Sequence, residues 1–224
     1  MTTHTPTIAE QSQATAAESA EAAAKLPAEV RNAFPAEQAA LEAGGVPAGV
    51  ATAGTAMPDA VLLDVNGESV TLATMRAGRP AVVVLYRGAW CPYCNIALRT
   101  YQAELVPALT ERGVVLIAVS PEKPDGSMSS VELNELTFTV ASDPGNQLAV
   151  ALGVETQSSA DAVAAQISLG LDLTERNVDG TTNLPMPTVV VVDGTGVIRW
   201  VDVHPNYTTR SEVPDILAAV DAIV

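Results

Sequence analysis

Cys91 and Cys94 are the two cysteines of this chain, and two residues separate them. On a helix this spacing places both thiols on one face, one turn apart, so that one sulfur can attack the other after oxidation. The thiolate is the reactive form of cysteine, and a helix N-terminus favours an anion. Pro92 suits the first turn of such a helix, because the N–H that it lacks would have no partner there. The spacing therefore predicts dithiol–disulfide chemistry.

Cys91 is predicted to be the activated thiol, because it begins the helix and Arg87 lies four residues before it. Lowering the pKa of a thiol from about 8.5 to about 7 requires about 2 kcal/mol of preferential stabilisation of the thiolate. A helix terminus and a nearby cation can supply that amount. Trp90, directly before Cys91, is expected either to shield the sulfur and contact a partner or to pack on the sheet.

Two other interpretations of the cysteine pair are weaker. A zinc site needs four ligands, and the chain offers two cysteines and two histidines, of which His4 lies in the N-terminal tail. Two inert buried cysteines are the other alternative. The predicted strand before the pair and the helix after it favour redox chemistry over both. The sequence therefore predicts a site with no metal and no cofactor.

The surrounding elements place the pair between a buried strand and a helix. Ala81–Tyr86 is a continuous β-branched and aromatic run, typical of a buried strand. A helix is predicted from Cys91 to Gly113, with a kink at Pro107. Val114–Val119 is a second buried run, so that strand, helix and strand form a right-handed parallel unit. The other predicted elements are a short strand in Asp59–Asp64, a turn at Asn66-Gly67, an extended segment over Val70–Leu72, a helix over Gln147–Leu152, a hairpin of Thr188–Val192 and Val197–Val201, and an amphipathic helix over Val213–Val224.

This order predicts an α/β protein with a thioredoxin fold, a central mixed sheet flanked by helices. Residues 57–224 are predicted to form that domain, with a polar insertion containing one helix at about 154–184. Residues 1–56 are predicted to be an Ala-rich, flexible and helical extension. Within it we expect a disordered tail up to about residue 18, two short helices divided at Pro35, and a linker over Gly44–Pro58.

The formal net charge of −15 argues against some classes of partner. The sequence has no basic stripe to neutralise phosphates, so we expect no binding to nucleic acid. The same charge disfavours docking on anionic membranes. We see no basic, apolar leader and no apolar run long enough for a membrane span, so the sequence predicts a cytoplasmic protein.

The stretch Tyr86–Asn95, which reads Tyr-Arg-Gly-Ala-Trp-Cys-Pro-Tyr-Cys-Asn, closely resembles the peroxiredoxin-like (alkyl hydroperoxide reductase/thiol-specific antioxidant) branch of the thioredoxin superfamily. Its Cys-Pro-Tyr-Cys core resembles that of glutaredoxins. The resemblance extends over about residues 57–224, through Pro58-Asp59, Ile117–Pro121 and Leu184–Thr188. It implies that Cys91 and Cys94 are catalytic, that Arg87, Trp90, Pro92, Tyr93 and Pro187 support the active site, and that Pro187 is a cis-proline facing it.

Two features of that family are absent at the expected positions. Its peroxide-attacking cysteine follows a Pro-x-x-x-Thr-x-x pattern, and counting back from Cys91 those positions hold Val84 and Gly88. Its catalytic arginine precedes the last strand, where this chain has Pro187. Arg87 is a candidate to supply that charge from the other side.

Two residues after the predicted hairpin carry weaker signals. Arg210, in the stretch Tyr207-Thr208-Thr209-Arg210, matches a recurrent stretch of the family, but a surface salt bridge explains an arginine there equally well. His204 could act as a base, although a solvated histidine is the expected interpretation.

The resemblance implies a thiol-dependent peroxidase that reduces hydrogen or organic peroxides. In that mechanism Cys91 attacks the peroxide and becomes a sulfenic acid, Cys94 resolves it to a disulfide, and a thioredoxin-like or low-molecular-weight thiol reduces the pair. The first alternative is a thioredoxin- or glutaredoxin-like thiol–disulfide oxidoreductase, in which Cys91 attacks a substrate disulfide. The second is a redox-sensing or scaffolding protein that binds its partner through the N-terminal extension. Deleting residues 1–50 distinguishes these hypotheses, because an enzyme should keep its turnover whereas a scaffold should lose its partner. The sequence is compatible with a homodimer.

Overall fold

The structure is a computed structural model, and it describes residues 5–224. The strands are β1 (Val61–Leu63), β2 (Ser69–Thr71), β3 (Ala81–Leu85), β4 (Val115–Ser120), β5 (Thr139–Ser142), β6 (Glu155–Thr156), β7 (Leu184–Pro185), β8 (Thr188–Val192) and β9 (Ile198–Val203). The helices are α1 (Ile8–Ala23), α2 (Ala28–Gly44), α3 (Leu72–Arg76), α4 (Pro92–Thr100), α5 (Val106–Glu111), α6 (Pro124–Asn134), α7 (Gln147–Leu152), α8 (Ala160–Ser168), α9 (Leu173–Arg176) and α10 (Val213–Asp221).

Seven of these strands form one mixed sheet in the order β2-β1-β5-β4-β3-β8-β9. Strand β3 lies between β4, to which it is parallel, and β8, to which it is antiparallel, and β4 is parallel to β5. Strands β6 and β7 pair with each other outside this sheet. The predicted strand–helix–strand unit and the C-terminal hairpin are both present. The predicted class, a central mixed sheet flanked by helices, is confirmed.

The interior strand β3 contributes to two hydrophobic cores, because its side chains alternate between the faces of the sheet. Val82 and Val84 belong to one core, which also contains both cysteines and the apolar side chains of α4 and α10. Ala81, Val83 and Leu85 belong to the other core, together with side chains of α7. Because every residue of β3 is buried, the loop that follows it starts from a rigid base.

The helix that begins at Cys91 is interrupted where the sequence predicts a kink. A π-helical turn, Tyr101–Leu105, joins α4 to α5 and ends two residues before Pro107. Proline lacks the N–H that would bond to the carbonyl of Ala103, and an extra residue in the preceding turn accommodates that loss. The predicted irregularity is therefore confirmed, in the form of a π-helical turn.

The predicted disordered tail is wrong for the described residues from Ile8 onward, which form α1, whereas residues 1–4 lie outside the described part of the chain. Thr7 and Glu10 form a capping box at the start of α1. The Glu212 carboxylate accepts hydrogen bonds from the backbone N–H groups of Ile8 (3.1 Å) and Ala9 (2.8 Å). Ile8 is completely buried in the core that contains the cysteines, so burial and capping together order α1.

The prediction of two short helices divided at Pro35 is also wrong, because α2 is one helix that contains this proline. Pro35 removes the hydrogen bond to the carbonyl of Arg31. Helix α2 packs along α8, with Ala33 of α2 and Ala165 of α8 both buried, and this packing holds the helix on both sides of the proline. The segment at about 154–184 is therefore more structured than predicted: besides α8 it contains α9 and both strands of the small sheet.

Candidate active site

Cys91 and Cys94 lie where the chain leaves the carboxyl end of β3 and enters α4. Cys91 is the N-cap residue of α4, with an extended backbone (φ −89°, ψ 113°), and Pro92 occupies the first turn with its ring exposed to solvent. The carbonyl of Cys91 accepts the backbone N–H groups of Cys94 and Asn95, both at 3.1 Å. Both thiols are buried, with 1% of Cys91 and none of Cys94 exposed.

Arg210 is the charged side chain that contacts both sulfurs. Its Nη2 lies 2.9 Å from Cys94 Sγ and 3.9 Å from Cys91 Sγ. The guanidinium is 7% exposed and forms no ion pair with a carboxylate within residues 5–224. Its Nη1 donates to the carbonyls of Tyr207 (2.7 Å) and Thr209 (2.5 Å), which fixes its direction. Of the two explanations offered for Arg210, the surface salt bridge is therefore wrong, since its positive charge faces the thiols.

The environment separates the pKa values of the two thiols. For Cys94, burial opposes ionisation, but a hydrogen bond from Cys91, the charge of Arg210 and the backbone N–H of Arg87 together lower its pKa well below the ordinary value. For Cys91, burial and the hydrogen bond and charge of Cys94 raise its pKa well above the ordinary value, against the charges of Arg210 and Arg87. Burial and Cys94 thus oppose the ionisation of Cys91 that the sequence predicts, whereas Arg210 and the backbone N–H of Arg87 favour the thiolate of Cys94.

Arg87 is 8% exposed and lies between two aromatic rings. Its guanidinium carbon is 5.0 Å from the centre of the Trp90 ring and 4.4 Å from the centre of the Tyr207 ring. The Tyr93 ring lies 6.4 Å from that of Tyr207. The predicted supporting residues Arg87, Trp90 and Tyr93 therefore meet in one cation–π cluster beside the thiols, and Tyr207 is an unpredicted member of it.

The loop from Gly88 to Trp90 is held by a hydrogen bond to the buried Glu122 carboxylate. The backbone N–H of Ala89 donates to Glu122 Oε2 at 2.6 Å, and Asn95 Nδ2 donates to the Ala89 carbonyl at 2.8 Å. Glu122 is 1% exposed, and burial raises the pKa of its carboxyl group. Gly88 has φ +149°, and a Cβ there would lie 2.5 Å from Trp90 Nε1 and 2.8 Å from Glu122 Cδ. This position therefore requires glycine.

The segment that carries Arg210 connects β9 to α10 and is held by its own side chains. Asp202 Oδ2 accepts Ser211 Oγ at 2.7 Å and lies 3.0 Å from His204 Nε2. His204 Nδ1 lies 2.8 Å from Thr209 Oγ1. The imidazole is half-buried and hydrogen-bonded, so the expectation of a solvated histidine is wrong. His204 belongs to the network that holds the Arg210 segment.

The predicted cis-proline is also wrong. Every peptide bond within residues 5–224, including Met186–Pro187, is trans. The chain is extended here, because the Met186 N–H donates to the carbonyl of Val154 and the Pro187 carbonyl accepts the His204 N–H at 2.9 Å. The trans isomer of an X–Pro bond is lower in energy than the cis isomer by about 0.5–1 kcal/mol, and the extended backbone at Pro187 is compatible with it. Pro187 is buried and lines a small cavity with Arg87 and Tyr207.

One signal in the sequence points to Cys94. Counted back from Cys94 instead of Cys91, the threonine position of the Pro-x-x-x-Thr-x-x pattern holds Cys91 and the proline position holds Arg87. The S–H of Cys91 then occupies the place of the hydroxyl and donates to Cys94. The stretch Tyr207–Arg210, which matches a recurrent stretch of the family, marks Arg210, but it does not indicate a contact with Cys94, 116 residues away.

The described residues offer no group of three or more His, Cys, Asp or Glu side chains that could hold a metal ion. The site itself contains two thiols, the Arg210 guanidinium that contacts both of them, and the Arg87 guanidinium between two aromatic rings.

Comparison with known families places this arrangement in context. The family model described as AhpC/TSA matches residues 53–201, which include β1 to β8 and both cysteines. The chain belongs to the AhpC/TSA family. Residue Arg210 lies outside the matched segment, so the residue that contacts both thiols is contributed by the chain beyond it.

Two kinds of relative share sequence with this AhpC/TSA chain. A Haemophilus influenzae protein named as a peroxiredoxin, bcp, is 32% identical over 104 residues, which are 45% of this chain and 64% of that protein. The thiol-disulfide oxidoreductase ResA of Bacillus cereus is 29% identical over 102 residues, which are 45% of this chain and 57% of that protein. The match thus spans less than two thirds of the relatives' own length.

Solved structures show the same fold. Peroxidoxin BcpB from Mycobacterium tuberculosis superposes with a TM-score of 0.59 at 17% identity, over 77% of this chain and 97% of that one. Reduced Prx3 from Vibrio vulnificus superposes with a TM-score of 0.62 at 19% identity, over 77% of this chain and 99% of that one. The predicted thioredoxin-type fold is confirmed by these neighbours. Within residues 5–224, no helix combines the length and apolar character needed to cross a bilayer.

Proposed function

We propose that this protein is a thiol-dependent peroxidase that reduces hydrogen or organic peroxides through a dithiol–disulfide cycle of Cys91 and Cys94. The observation that carries the proposal is the contact of one buried guanidinium, that of Arg210, with both sulfurs. Such a cation stabilises the thiolate that attacks, and it can equally stabilise the negative charge on the leaving oxygen. Membership of the AhpC/TSA family and the likeness to named peroxiredoxins support the same chemistry.

The burial of both thiols favours a small oxidant. Neither Cys91 nor Cys94 exposes more than 1% of its surface, so a protein disulfide has no direct contact with either sulfur in this conformation. A peroxide molecule needs a much smaller opening. Arg87, Trp90, Tyr93 and Pro187 act in this proposal as the walls of the site.

The test is consumption of hydrogen peroxide by the reduced protein in the presence of a thioredoxin system, beside reduction of a protein disulfide by the same sample. We expect rapid peroxide consumption, its loss in the Cys91→Ser and Cys94→Ser variants, and slow disulfide reduction. Negligible peroxide turnover with efficient disulfide reduction would refute the peroxidase proposal.

A thiol–disulfide oxidoreductase is the second candidate, and the similarity to ResA favours it. Both candidates use the same two sulfurs, so they differ in the oxidant and not in the site. The paired assay distinguishes them directly. A redox-sensing or scaffolding role remains a third interpretation, and it predicts turnover with neither oxidant.

The remaining elements of the proposal concern location and partners. We propose a cytoplasmic protein reduced by a thioredoxin-like or low-molecular-weight thiol, without nucleic-acid or membrane partners, in keeping with its charge of −15. Residues 57–224 act as the catalytic domain and residues 1–56 as its extension in this proposal. Homodimer formation is compatible with it and is checked by light scattering.

A further inference from the structure

The two sulfurs of the dithiol have unequal surroundings. Arg210 Nη2 donates to both sulfurs, but it lies 2.9 Å from Cys94 Sγ and 3.9 Å from Cys91 Sγ, so its shorter hydrogen bond is to Cys94. The backbone N–H of Arg87 also donates to Cys94. Because charge-assisted hydrogen bonds are the strong ones, the site stabilises negative charge on Cys94 more than on Cys91.

The contact between the two cysteines also favours negative charge on Cys94 over Cys91. Because Arg210 lies closer to Cys94, an S–H of Cys91 that donates to Cys94 leaves the proton on Cys91 and the charge on Cys94. Cys91 is buried and receives the longer, 3.9 Å contact from Arg210, so its thiolate is less well stabilised than that of Cys94. The N-terminus of α4 supports either anion, so it does not reverse this difference.

We infer that Cys94 is the attacking sulfur and Cys91 the resolving one, the reverse of the order that the position of Cys91 at the helix N-cap suggests. This inference rests on the proposed function for its substrate, but the assignment of the two sulfurs can be tested with any oxidant. Arg210 is a catalytic residue in this scheme, because it contacts the attacking sulfur.

The cycle balances with these roles. The Cys94 thiolate attacks the distal oxygen of ROOH, the O–O bond breaks, and Cys94 becomes a sulfenic acid while RO⁻ takes the proton of Cys91 to leave as ROH. The Cys91 thiolate then attacks Cys94 Sγ, forming the disulfide and releasing hydroxide, which solvent protonates. An external dithiol returns two electrons and two protons to the pair.

The first test measures the far-ultraviolet absorbance of the thiolate as a function of pH in Cys91→Ser and Cys94→Ser, a readout that needs no access to the buried sulfurs. Serine in place of Cys91 keeps a hydrogen-bond donor beside Cys94. We expect the titration midpoint of Cys91→Ser to lie below that of Cys94→Ser, because Arg210 lies closer to Cys94 Sγ than to Cys91 Sγ. The opposite order, or equal midpoints, would overturn the inference.

The second test uses the wild-type protein, so it stands even if a variant fails to fold. Reduced protein is treated with less than one equivalent of iodoacetamide near neutral pH, and fragment ions of the peptide containing both cysteines locate the label. We expect most of the label on Cys94. A majority on Cys91 would contradict the assignment.

A third test separates failure of this inference from failure of the proposed function. Each serine variant receives hydrogen peroxide with a sulfenic-acid trap, and separately a small aromatic disulfide. An adduct on Cys94 of Cys91→Ser with either oxidant supports the assignment, and an adduct on Cys91 of Cys94→Ser alone overturns it. Adducts with the disulfide but none with peroxide would refute the peroxidase while leaving the assignment in force.

Discussion

At the scale of single residues, the ionisation of the dithiol depends on Arg210. The guanidinium is buried, and its hydrogen bonds to the carbonyls of Tyr207 and Thr209 already fix its orientation. Its contact with Cys94 therefore costs no additional side-chain entropy. A hydrogen bond to a charged group contributes about 1.5–3 kcal/mol, and one pKa unit corresponds to about 1.4 kcal/mol. The charge of Arg210 therefore helps to hold the pKa of Cys94 below its ordinary value.

Replacing Arg210 by glutamine should raise the midpoint of the Cys94 thiolate titration, measured in the Cys91→Ser background, because the charge that lowers the pKa of Cys94 is lost. The rate of peroxide consumption at neutral pH should fall at least about tenfold, because less thiolate is present. Arg210→Lys keeps the charge but loses the planar fork, and an intermediate effect is expected. Arg112→Gln, which removes a surface pair with Asp221, is the matched control. An unchanged midpoint in Arg210→Gln would contradict this account.

Gly88→Ala tests the loop that leads into the dithiol. The new Cβ would meet the Trp90 indole and Glu122, so we expect a loss of about 1–3 kcal/mol in the free energy of unfolding and slower peroxide turnover. Gly54→Ala is the control, because Gly54 also has a positive φ (+94°) but a Cβ at that position would meet nothing within 4 Å. Equal destabilisation of the two variants in urea would show that backbone strain, and not the contact with Trp90 and Glu122, is responsible.

At the scale of elements, the apolar strands were predictable and the polar ones were not. β3, β4 and β8 are continuous runs of buried, mostly β-branched residues, a pattern that sequence alone reveals. Helix α6 and strand β5 escaped prediction, because the buried face of α6 consists of Ser127, Ser130 and Asn134. These side chains bond to partners far along the chain, for example Ser127 to Ser142 at 2.9 Å. A polar interface of this kind leaves no hydrophobic periodicity.

In the candidate site, too, some features were predictable from the sequence and others were not. The Cys91–Cys94 spacing and its position after a buried strand were predictable from the sequence, as was the approach of Arg87, Trp90 and Tyr93. The role of Arg210 was not, because it arises where the segment between β9 and α10 folds back over α4. The family-like stretch Tyr207–Arg210 marks the residue, but it does not reveal a contact with a thiol 116 residues earlier in the chain.

The junction between β5 and α7 gives a pH dependence. Asp143 is 2% exposed and accepts the backbone N–H groups of Gln147 and Leu148, both at 2.9 Å. Burial nevertheless raises the pKa of Asp143 to about 6. A raised pKa in the folded state means that this residue stabilises the protein when protonated, and that its contribution is lost as pH rises from about 4 through about 6.

Comparing the wild type with Asp143→Asn by urea unfolding at several pH values tests this linkage. Asparagine does not titrate, so the wild type should lose stability relative to the variant as the pH rises. The difference between their free energies of unfolding should change by up to about 3 kcal/mol between about pH 4 and pH 7. Any constant offset from the changed hydrogen bonds is irrelevant to this slope. Parallel curves across that interval would show that Asp143 titrates as an ordinary carboxylate.

At the scale of the whole molecule, the N-terminal helices belong to the architecture of the site. Helix α1 places Ile8 in the core beside α4, and its first N–H groups are capped by Glu212 at the start of α10. From α2, Gln38 Oε1 accepts the backbone N–H of Tyr207 at 3.1 Å, and Glu42 accepts Asn206 Nδ2. Deleting residues 1–50 would therefore disturb the Arg210 segment, so loss of turnover on deletion does not distinguish a scaffold from an enzyme.

Ile8→Ala measures how firmly α1 is docked. Removing a fully buried isoleucine side chain should lower the free energy of unfolding by about 2–5 kcal/mol. Val46→Ala, at a site that is 53% exposed, should change it by less than about 0.5 kcal/mol. If both variants unfold at the same urea concentration as the wild type, α1 contributes little to the folded state.

The most direct test of the central claim is a stoichiometric titration of the reduced protein with hydrogen peroxide, with free thiols counted and the intact mass recorded. If the protein is a dithiol peroxidase, one equivalent of peroxide should remove both thiols of the chain and yield an intramolecular Cys91–Cys94 disulfide. No further loss of thiol or gain of oxygen is expected. Thiols that persist after peroxide but disappear on addition of a disulfide substrate would contradict the peroxidase proposal.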